Sequence, residues 1–369
     1  MPCYHPKKAI KSRYSKEAQD GHLYRPLVIA PLAHSFESYY YVDTETGEMT
    51  EESEFLIPCG KCLGCRLDYS RTWANRMTLE SIYMDENTKK RVNDLFLTSH
   101  YKDHSSMEFS PWFITLTYED SHLPHGTLDL DTGISLPTLR LKDIQDFMKR
   151  LRIHLYRKHD YEGGVRMYYC GEYGDKTQRP HYHMISWNIP IYDLQYYGKT
   201  KQGDDMYISQ EINDLWGKGM VWICFSSWAT NAYTARYVMK KQTYSKNEFD
   251  QIYLSEGRVP PFVRMSRTSG AIGLPYYLEH RDEIYLHDNI ILPAKKKGET
   301  FKIKPPRIFD TKYGEEFPEE MKKIKEVRRV AVDLMNKQLA SQTDKTFEEE
   351  LLDREEVMRK RISSLRRTL

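Results

Sequence analysis

Trp112-Phe113-Ile114-Thr115-Leu116-Thr117-Tyr118 mixes β-branched and aromatic residues with a polar position at every second step near its end. Bounded by Pro111 and by Glu119-Asp120, it predicts a central strand. The period then changes. Leu141, Ile144, Met148, Leu151 and Leu155 recur every three or four residues, while Lys149, Arg150, Arg152, Arg157 and Lys158 fill the positions between, so an amphipathic helix with a basic side is expected. Two strands follow. Tyr168 to Tyr173 ends in turn chemistry at Gly171, Gly174 and Asp175, and Arg179 to Trp187 is closed by Asn188-Ile189-Pro190. Elsewhere a helix is expected from about Arg66 to Met84, with Leu67, Ala74 and Met77 on one stripe. Gly217 and Gly219 suggest a turn before a strand at Val221 to Phe225. Beyond Pro318 the spacing of Met321, Ile324, Val327, Ala331 and Leu334 predicts helix, with clustered arginines at the end. The expected organisation is an irregular arm over residues 1–65, a core over 66–245 and a largely helical extension over 246–369.

Candidate chemistry sits on the second of the paired strands. His181 and His183 are one residue apart, and on a strand such residues project to the same face. A hairpin with the preceding strand brings Glu172 beside them. Two imidazoles and one carboxylate with open positions suit Mg²⁺ or Mn²⁺ acting on a phosphate oxygen. By themselves the histidines fit equally well as half-buried groups bonded to backbone. A second constellation, Asn231 to Lys241, carries Tyr233 and Tyr237 four apart, hence on one helical face, with Arg236 and Lys240 each three residues after a tyrosine and Lys241 extending the basic surface. Phenol ionises only near pH 10, so its attack on phosphorus needs cations nearby. In a chain with 28 tyrosines such a pair is ordinarily helix core; the histidine motif changes that reading.

Strand, histidine pair and tyrosine helix in that order resemble the HUH endonucleases that initiate rolling-circle replication. In the related conjugative relaxases the nucleophilic tyrosine precedes the histidines; here Tyr233 and Tyr237 follow them. The chain is most similar to the replication initiators of small single-stranded DNA phages of the gokushovirus branch of the microviruses. That likeness runs from residue 1 to about residue 280 and includes the opening Met1-Pro2-Cys3, the run Cys59-Gly60-Lys61-Cys62-Leu63-Gly64-Cys65-Arg66, and Arg264-Met265-Ser266-Arg267 leading to Gly270 and Gly273. It implies an α+β fold with a five-stranded antiparallel sheet flanked by helices, His181, His183 and Glu172 as ligands of a catalytic metal, and Tyr233 and Tyr237 as nucleophiles. One would nick the origin through a 5′-phosphotyrosyl link and the other would rejoin the strand, with Lys240 stabilising the reacting phosphate. Arg236 stands where such helices often carry lysine, and a permanently protonated arginine stabilises charge rather than donating a proton.

Six cysteines add a second metal question. Cys59, Cys62 and Cys65 repeat every third residue, and three close thiols suggest Zn²⁺, with Cys3 as the first candidate for a fourth ligand and His5 as the second. An iron–sulfur cluster would lack one nearby cysteine, and free thiols are the bland alternative. Cys170 and Cys224 are isolated and no secretory signal precedes them, so disulfides are not expected.

The net charge of +2 across 369 residues does not announce nucleic acid, so the case for DNA contact rests on local patches: Lys149 and Arg152 on the basic helix, Lys241, and Arg264 and Arg267 in a loop that serves equally well as a plain connector. Tyr196, Tyr197, Trp216, Trp222 and Trp228 could stack on unpaired bases or fill the core. No phosphate-binding Gly-x-x-x-x-Gly-Lys-Ser/Thr loop occurs, so no nucleotide cofactor is expected, and a host helicase and DNA polymerase would complete replication of the phage origin. A mean hydropathy of -0.71 and the lack of a long apolar run exclude a membrane span and lead to the host bacterial cytoplasm. A relaxase or transposase of the same chemistry, and a zinc-containing DNA-binding protein without catalysis, are the competing readings.

Overall fold

The alternating run at 112–117 becomes the middle of a seven-stranded sheet. Its strands are β1 (Trp112–Thr117), β2 (Arg166–Tyr173), β3 (Pro180–Trp187), β4 (Gln195–Lys199), β5 (Asp205–Ile208), β6 (Val221–Phe225) and β7 (Phe262–Met265), in the spatial order β4-β5-β6-β1-β3-β2-β7. Each neighbouring pair is antiparallel. The fold is therefore α+β, with seven strands where five were implied. The β4–β5 hairpin continues the sheet past β6, and β7 adds an edge at β2 from beyond residue 245. This computed structural model describes residues 3–18, 23–42, 47, 49–98, 111–127, 133–161, 164–240, 246–267, 270–294 and 298–364, without the side chains of 23, 85–98, 237–240, 246–249, 363 and 364.

Helices cover both sheet faces. On one, Ile144, Phe147, Met148, Leu151 and Leu155 of α2 (Leu141–His159) and Ile212 and Trp216 of α3 (Gln210–Trp216) pack with Trp112, Ile114, Leu116, Tyr182 and Met184. The basic side of α2 stays in solvent, as its periodicity requires. α3 is short but well bounded: Ser209 Oγ accepts from Ile212 N at 3.1 Å, and Gly217 ends it in the left-handed region. Gly219 follows at φ 152°, where a Cβ would lie 2.5 Å from the Thr117 carbonyl oxygen, so only glycine lets the chain turn into β6 this close to β1.

On the other face, Trp73 and Met77 of α1 (Leu63–Thr98) and Ala235 of α4 (Trp228–Lys240) pack with Phe113, Tyr168, Ile185, Trp187 and Cys224. α1 starts earlier and runs further than the stripe at 66–84 predicted. Beyond β7, a third cluster joins Leu79 of α1 to α6 (Leu274–His287), α7 (Arg307–Glu316) and Met321 of α8 (Pro318–Ala340), with α5 (Lys246–Leu254) lying between α4 and β7 in sequence. Of the expected apolar stripe on α8 only Met321 is buried, and Val327, Ala331 and Leu334 are exposed. A buried ion pair crosses this region. Arg166 Nε donates to Glu80 Oε1 at 2.6 Å, and Glu80 Oε2 accepts from Gly273 N at 2.6 Å.

The chain divides into two compact units, Tyr69–Leu334 with Arg367–Leu369, and Met1–Asp68 with Met335–Arg366. The second contains the arm expected to be irregular, which instead holds a three-stranded sheet of Leu27–Ala30, Lys7–Lys11 and Phe55–Ile57 and two short ribbons. These strands span two to five residues, too few for a period to emerge in sequence. α9 (Phe347–Ser364) belongs to the same unit, and its Glu355 Oε2 lies 2.8 Å from His5 Nε2.

Candidate active site

β3 places its two histidines on the face that α1 and α4 cover. Register then supplies the rest: Glu172 of β2 stands opposite His181, and Thr115 of β1 stands opposite His183. His181 Nε2 lies 2.8 Å and His183 Nε2 3.1 Å from Glu172 Oε1. The three groups converge from two adjacent strands, with Glu172 and His183 buried and His181 partly open to solvent. Burial disfavours the charged form of Glu172, but its contacts with His181 and His183 outweigh this and lower its pKa. Burial lowers that of His183.

Thr115 Oγ1 lies 2.9 Å from His183 Nδ1, and the Phe113 ring stacks on the same imidazole with centroids 5.2 Å apart. Neither residue stood out in the sequence as part of the site. The signal was present only as parity, since both share the alternating face of the histidine pair once β1 and β3 are known to be neighbours. From the other side Tyr233 of α4 packs edge-on against His183, centroids 5.3 Å apart, and against Phe113 at 6.2 Å. A phenol is thus held beside the histidine–carboxylate set.

A metal fits that set on structural grounds. Glu172 Oε2 is buried and has no hydrogen-bond partner among the described residues, a vacancy that costs about 1–3 kcal/mol for a buried acceptor and more for a charged one. A cation held by the carboxylate and the two imidazoles would offset part of that cost by neutralising the Glu172 charge. Two nitrogens and a carboxylate oxygen suit a divalent ion of intermediate hardness, and three ligands leave positions open.

The cysteines form a second cluster. Cys3, Cys59, Cys62 and Cys65 converge, with Cys3 Sγ 3.7 Å from Cys62 Sγ and Cys59 Sγ 4.0 Å from Cys65 Sγ. Four thiolates bound tetrahedrally at about 2.3 Å would stand about 3.8 Å apart. A disulfide needs about 2.05 Å, and all six cysteines are free. Backbone N–H groups point at the sulfurs: Tyr4 N to Cys62 Sγ at 3.3 Å, Cys59 N to Cys3 Sγ at 3.2 Å, and Cys62 N to Cys59 Sγ at 3.3 Å. Burial works against the Cys62 thiolate, but N–H donation from Cys65 and Tyr4 outweighs it and brings that thiol down to about 7. The cluster can hold a metal ion with Cys3 as fourth ligand, while His5 is engaged with Glu355.

The remaining expected site residues fall in several places. Arg236 is exposed on α4; Lys241 lies outside the described residues, as do the side chains of Tyr237 and Lys240. Lys149 and Arg152 are exposed on α2, across the sheet from the histidines. Arg264 is exposed on β7 opposite Tyr169, also on the α2 face, and Arg267 is exposed just beyond that strand. The structure therefore gathers His181, His183, Glu172 and Tyr233 in one place and leaves these four arginines and lysines apart from them. No helix among the described residues is long and apolar enough to cross a membrane.

The family model described as Replication-associated protein ORF2/G2P matches residues 111–242, the stretch that carries β1 to β6 and α4. The chain is 31% identical over 264 residues to the Replication-associated protein ORF2 of Spiroplasma virus 4, which spans 72% of this chain and 69% of that one. It is 28% identical over 294 residues to the Replication-associated protein VP4 of Bdellovibrio phage phiMH2K, spanning 79% and 78%. Against the Replication-associated protein ORF4 of Chlamydia phage 1 it is 27% identical over 261 residues, 69% of this chain and 54% of the other. No solved structure matches. The chain belongs to the family of replication-associated proteins found in the microviruses.

Proposed function

We propose that this protein initiates rolling-circle replication of a single-stranded DNA phage, as a metal-dependent, site-specific endonuclease and strand transferase of the HUH type. The observation that carries the proposal is the Tyr233 ring held 5.3 Å from that of His183, beside a carboxylate oxygen buried without a partner. His181, His183 and Glu172 hold the ion. Mg²⁺ or Mn²⁺, when bound, polarises a non-bridging oxygen of the scissile phosphate. Thr115 and Phe113 fix the His183 ring. The Tyr233 phenol oxygen forms a bond to phosphorus, the bond to the 3′-oxygen breaks, and the departing 3′-hydroxyl takes up the proton the phenol gave up. The product is a 5′-phosphotyrosyl link and a primer end. One phosphodiester is exchanged for another, so resealing needs no nucleotide.

Tyr237, one helical turn on, serves as the second nucleophile by its spacing, with Arg236 and Lys240 supplying positive charge to the reacting phosphate. Lys241, Arg264, Arg267, Lys149 and Arg152 contact DNA away from the reaction. Zn²⁺ occupies the four-cysteine cluster as a structural ion, which the sulfur spacing and the N–H donors support. Single-stranded and origin DNA are the substrates, and a host helicase and polymerase act with the protein in the host cytoplasm.

The test is a denaturing gel after incubation with a labelled circular single strand carrying the phage origin and Mn²⁺. A covalent protein–DNA adduct is expected from the wild type. It should vanish in Tyr233→Phe/Tyr237→Phe and in His181→Ala, with the single tyrosine variants showing which phenol cuts first. Tight binding without any adduct would instead make the chain a DNA-binding protein and turn the histidines back into structure.

A further inference from the structure

Four of the six tryptophans are locked by their indole N–H: Trp112 to Ile189 O, Trp187 to Ser81 Oγ, Trp216 to Thr117 O and Trp228 to Asn75 Oδ1. Trp222 is different. It is only partly buried, and no hydrogen bond of its indole occurs among the described residues. Its place in the sheet is informative, since Trp222 stands opposite Thr115, which stands opposite His183. Cross-strand partners share a face, so Trp222 lies two strands from His183 on the candidate active face, about 10 Å away at ordinary strand spacing.

Beside it stands Tyr197, whose ring meets the indole edge-on at 4.9 Å and which is 57% exposed. Tyr197 is the extra residue where the β4–β5 register slips between Tyr196 and Gly198. Such a bulge re-aims a side chain, and here it turns Tyr197 toward Trp222. Tyr196, equally exposed at 59%, pairs with Tyr207 and through it with Ile223 on the α2 face. Charge does not explain the patch: Lys199 is paired with Asp205, and Lys201 is offset by Asp204 in the same hairpin.

Two aromatic rings in the row of the histidine site, one partly buried and the other exposed, beside a hairpin whose lysines are matched by aspartates, are a surface for a flat apolar ligand. We infer that Tyr197 and Trp222 form a stacking platform for an unpaired nucleobase of the substrate strand, close to the phosphate presented to Tyr233. This rests on the reading of that site as a single-strand nickase. The platform takes the base and not the phosphate, so it contributes affinity that is tolerant of sequence and independent of salt.

The experiment measures binding of a labelled single strand spanning the origin to the full chain by anisotropy across a salt series, with the covalent adduct followed in parallel. Tyr197→Ala and Trp222→Ala are each expected to weaken binding by about 5- to 100-fold with an unchanged salt slope, and Trp222→Phe to recover most of the loss. Tyr196→Ala should stay within about twofold. Replacing bases one at a time by abasic sites should reveal one position that weakens the wild type but not Trp222→Ala. Wild-type binding and adduct with losses in Tyr197→Ala and Trp222→Ala no larger than in Tyr196→Ala would overturn the platform while leaving the nickase intact. A steeper or shallower salt slope in those variants would also overturn it. Failure of the wild type to bind or to form adduct would overturn the nickase and the platform together.

Discussion

Replacing Thr115 by valine removes one hydroxyl and keeps the β-branched shape that suits a central strand. The group lost is Thr115 Oγ1, which lies 2.9 Å from Nδ1, the His183 nitrogen that faces away from Glu172. For His183 to offer its Nε2 lone pair to a metal, Nδ1 must carry the proton and donate it to Thr115. Without that acceptor Thr115 no longer selects the tautomer, and its share of the ring's orientation is lost while the packing against Phe113 and Tyr233 remains. Outer-shell partners of this kind are worth about 10- to 100-fold in metal affinity, or about 1.4–2.8 kcal/mol at 1.4 kcal/mol per tenfold. The fold loses one hydrogen bond, about 0.5–1.5 kcal/mol. Titration calorimetry of Mn²⁺ into the wild type and Thr115→Val should show the affinity falling by that factor. The adduct assay should shift to correspondingly higher Mn²⁺ and recover at saturation, and Thr115→Ser should restore both. If Thr115→Val bound Mn²⁺ within twofold of wild type, Thr115 would be no more than strand filler and the orientation argument would be wrong.

Three further outcomes are expected. Elemental analysis of protein prepared without chelator should find one equivalent of zinc that is absent in Cys62→Ser, with a lower melting temperature in the variant; a zinc-free wild type would refute the structural site. Glu80→Ala leaves Arg166 buried without its carboxylate and Gly273 N without its acceptor, so urea unfolding should show a loss of about 3–5 kcal/mol, and a loss below about 1 kcal/mol would contradict it. The Glu211 carboxyl feels burial that opposes its charge, but its contacts with Lys158, His154 and His159 outweigh this and hold its pKa down to about 2. A depressed folded pKa contributes stability above the unfolded value of about 4.3 and loses it as pH falls toward about 2. The melting temperatures of wild type and Glu211→Gln should therefore differ at neutral pH and converge on acidification, and a gap independent of pH would refute the assignment.

The elements that position the site were the most legible part of the chain. β1, β2 and β3 are six to eight residues long, which is enough for strand-type composition and polar punctuation to fix them, and α2 shows its helical period across 19 residues. The hairpin carrying Glu172 was legible because Gly174 and Asp175 force a turn between β2 and β3. Thr115 was not, since β1 and β3 are sheet neighbours separated in sequence by α2 and β2, and nothing local encodes that pairing or its register. The same holds for Glu80, whose carboxylate reaches Gly273 across 193 positions and gives the Arg264–Gly273 stretch a structural tie that the sequence could not reveal. On α8 the pattern was legible only in part. Three-to-four spacing predicts a helix correctly, but it does not say whether a neighbour covers the stripe, and Val327 and Leu334 stay 69% and 62% exposed.

The site divides its labour between two kinds of support. The proposed metal ligands stand on adjacent strands in the middle of the sheet, where cross-strand bonds on both sides fix backbone positions. The proposed nucleophile, Tyr233, stands on a helix, and a helix must be pinned before one of its rings can be aimed. The first turns of α4 are pinned to α1 by polar contacts: Trp228 Nε1 donates to Asn75 Oδ1 at 2.9 Å, Asn231 Nδ2 to Thr78 Oγ1 at 3.1 Å, and Ser70 Oγ to Ala232 O at 3.4 Å. Asn75, Thr78 and Asn231 are all buried, so each bond replaces water that cannot reach the groove. These contacts bracket the turn leading to Tyr233 and hold that ring against His183. On the proposed chemistry Asn75 and Thr78 are positioning residues on α1, although neither approaches the histidines in sequence or by motif.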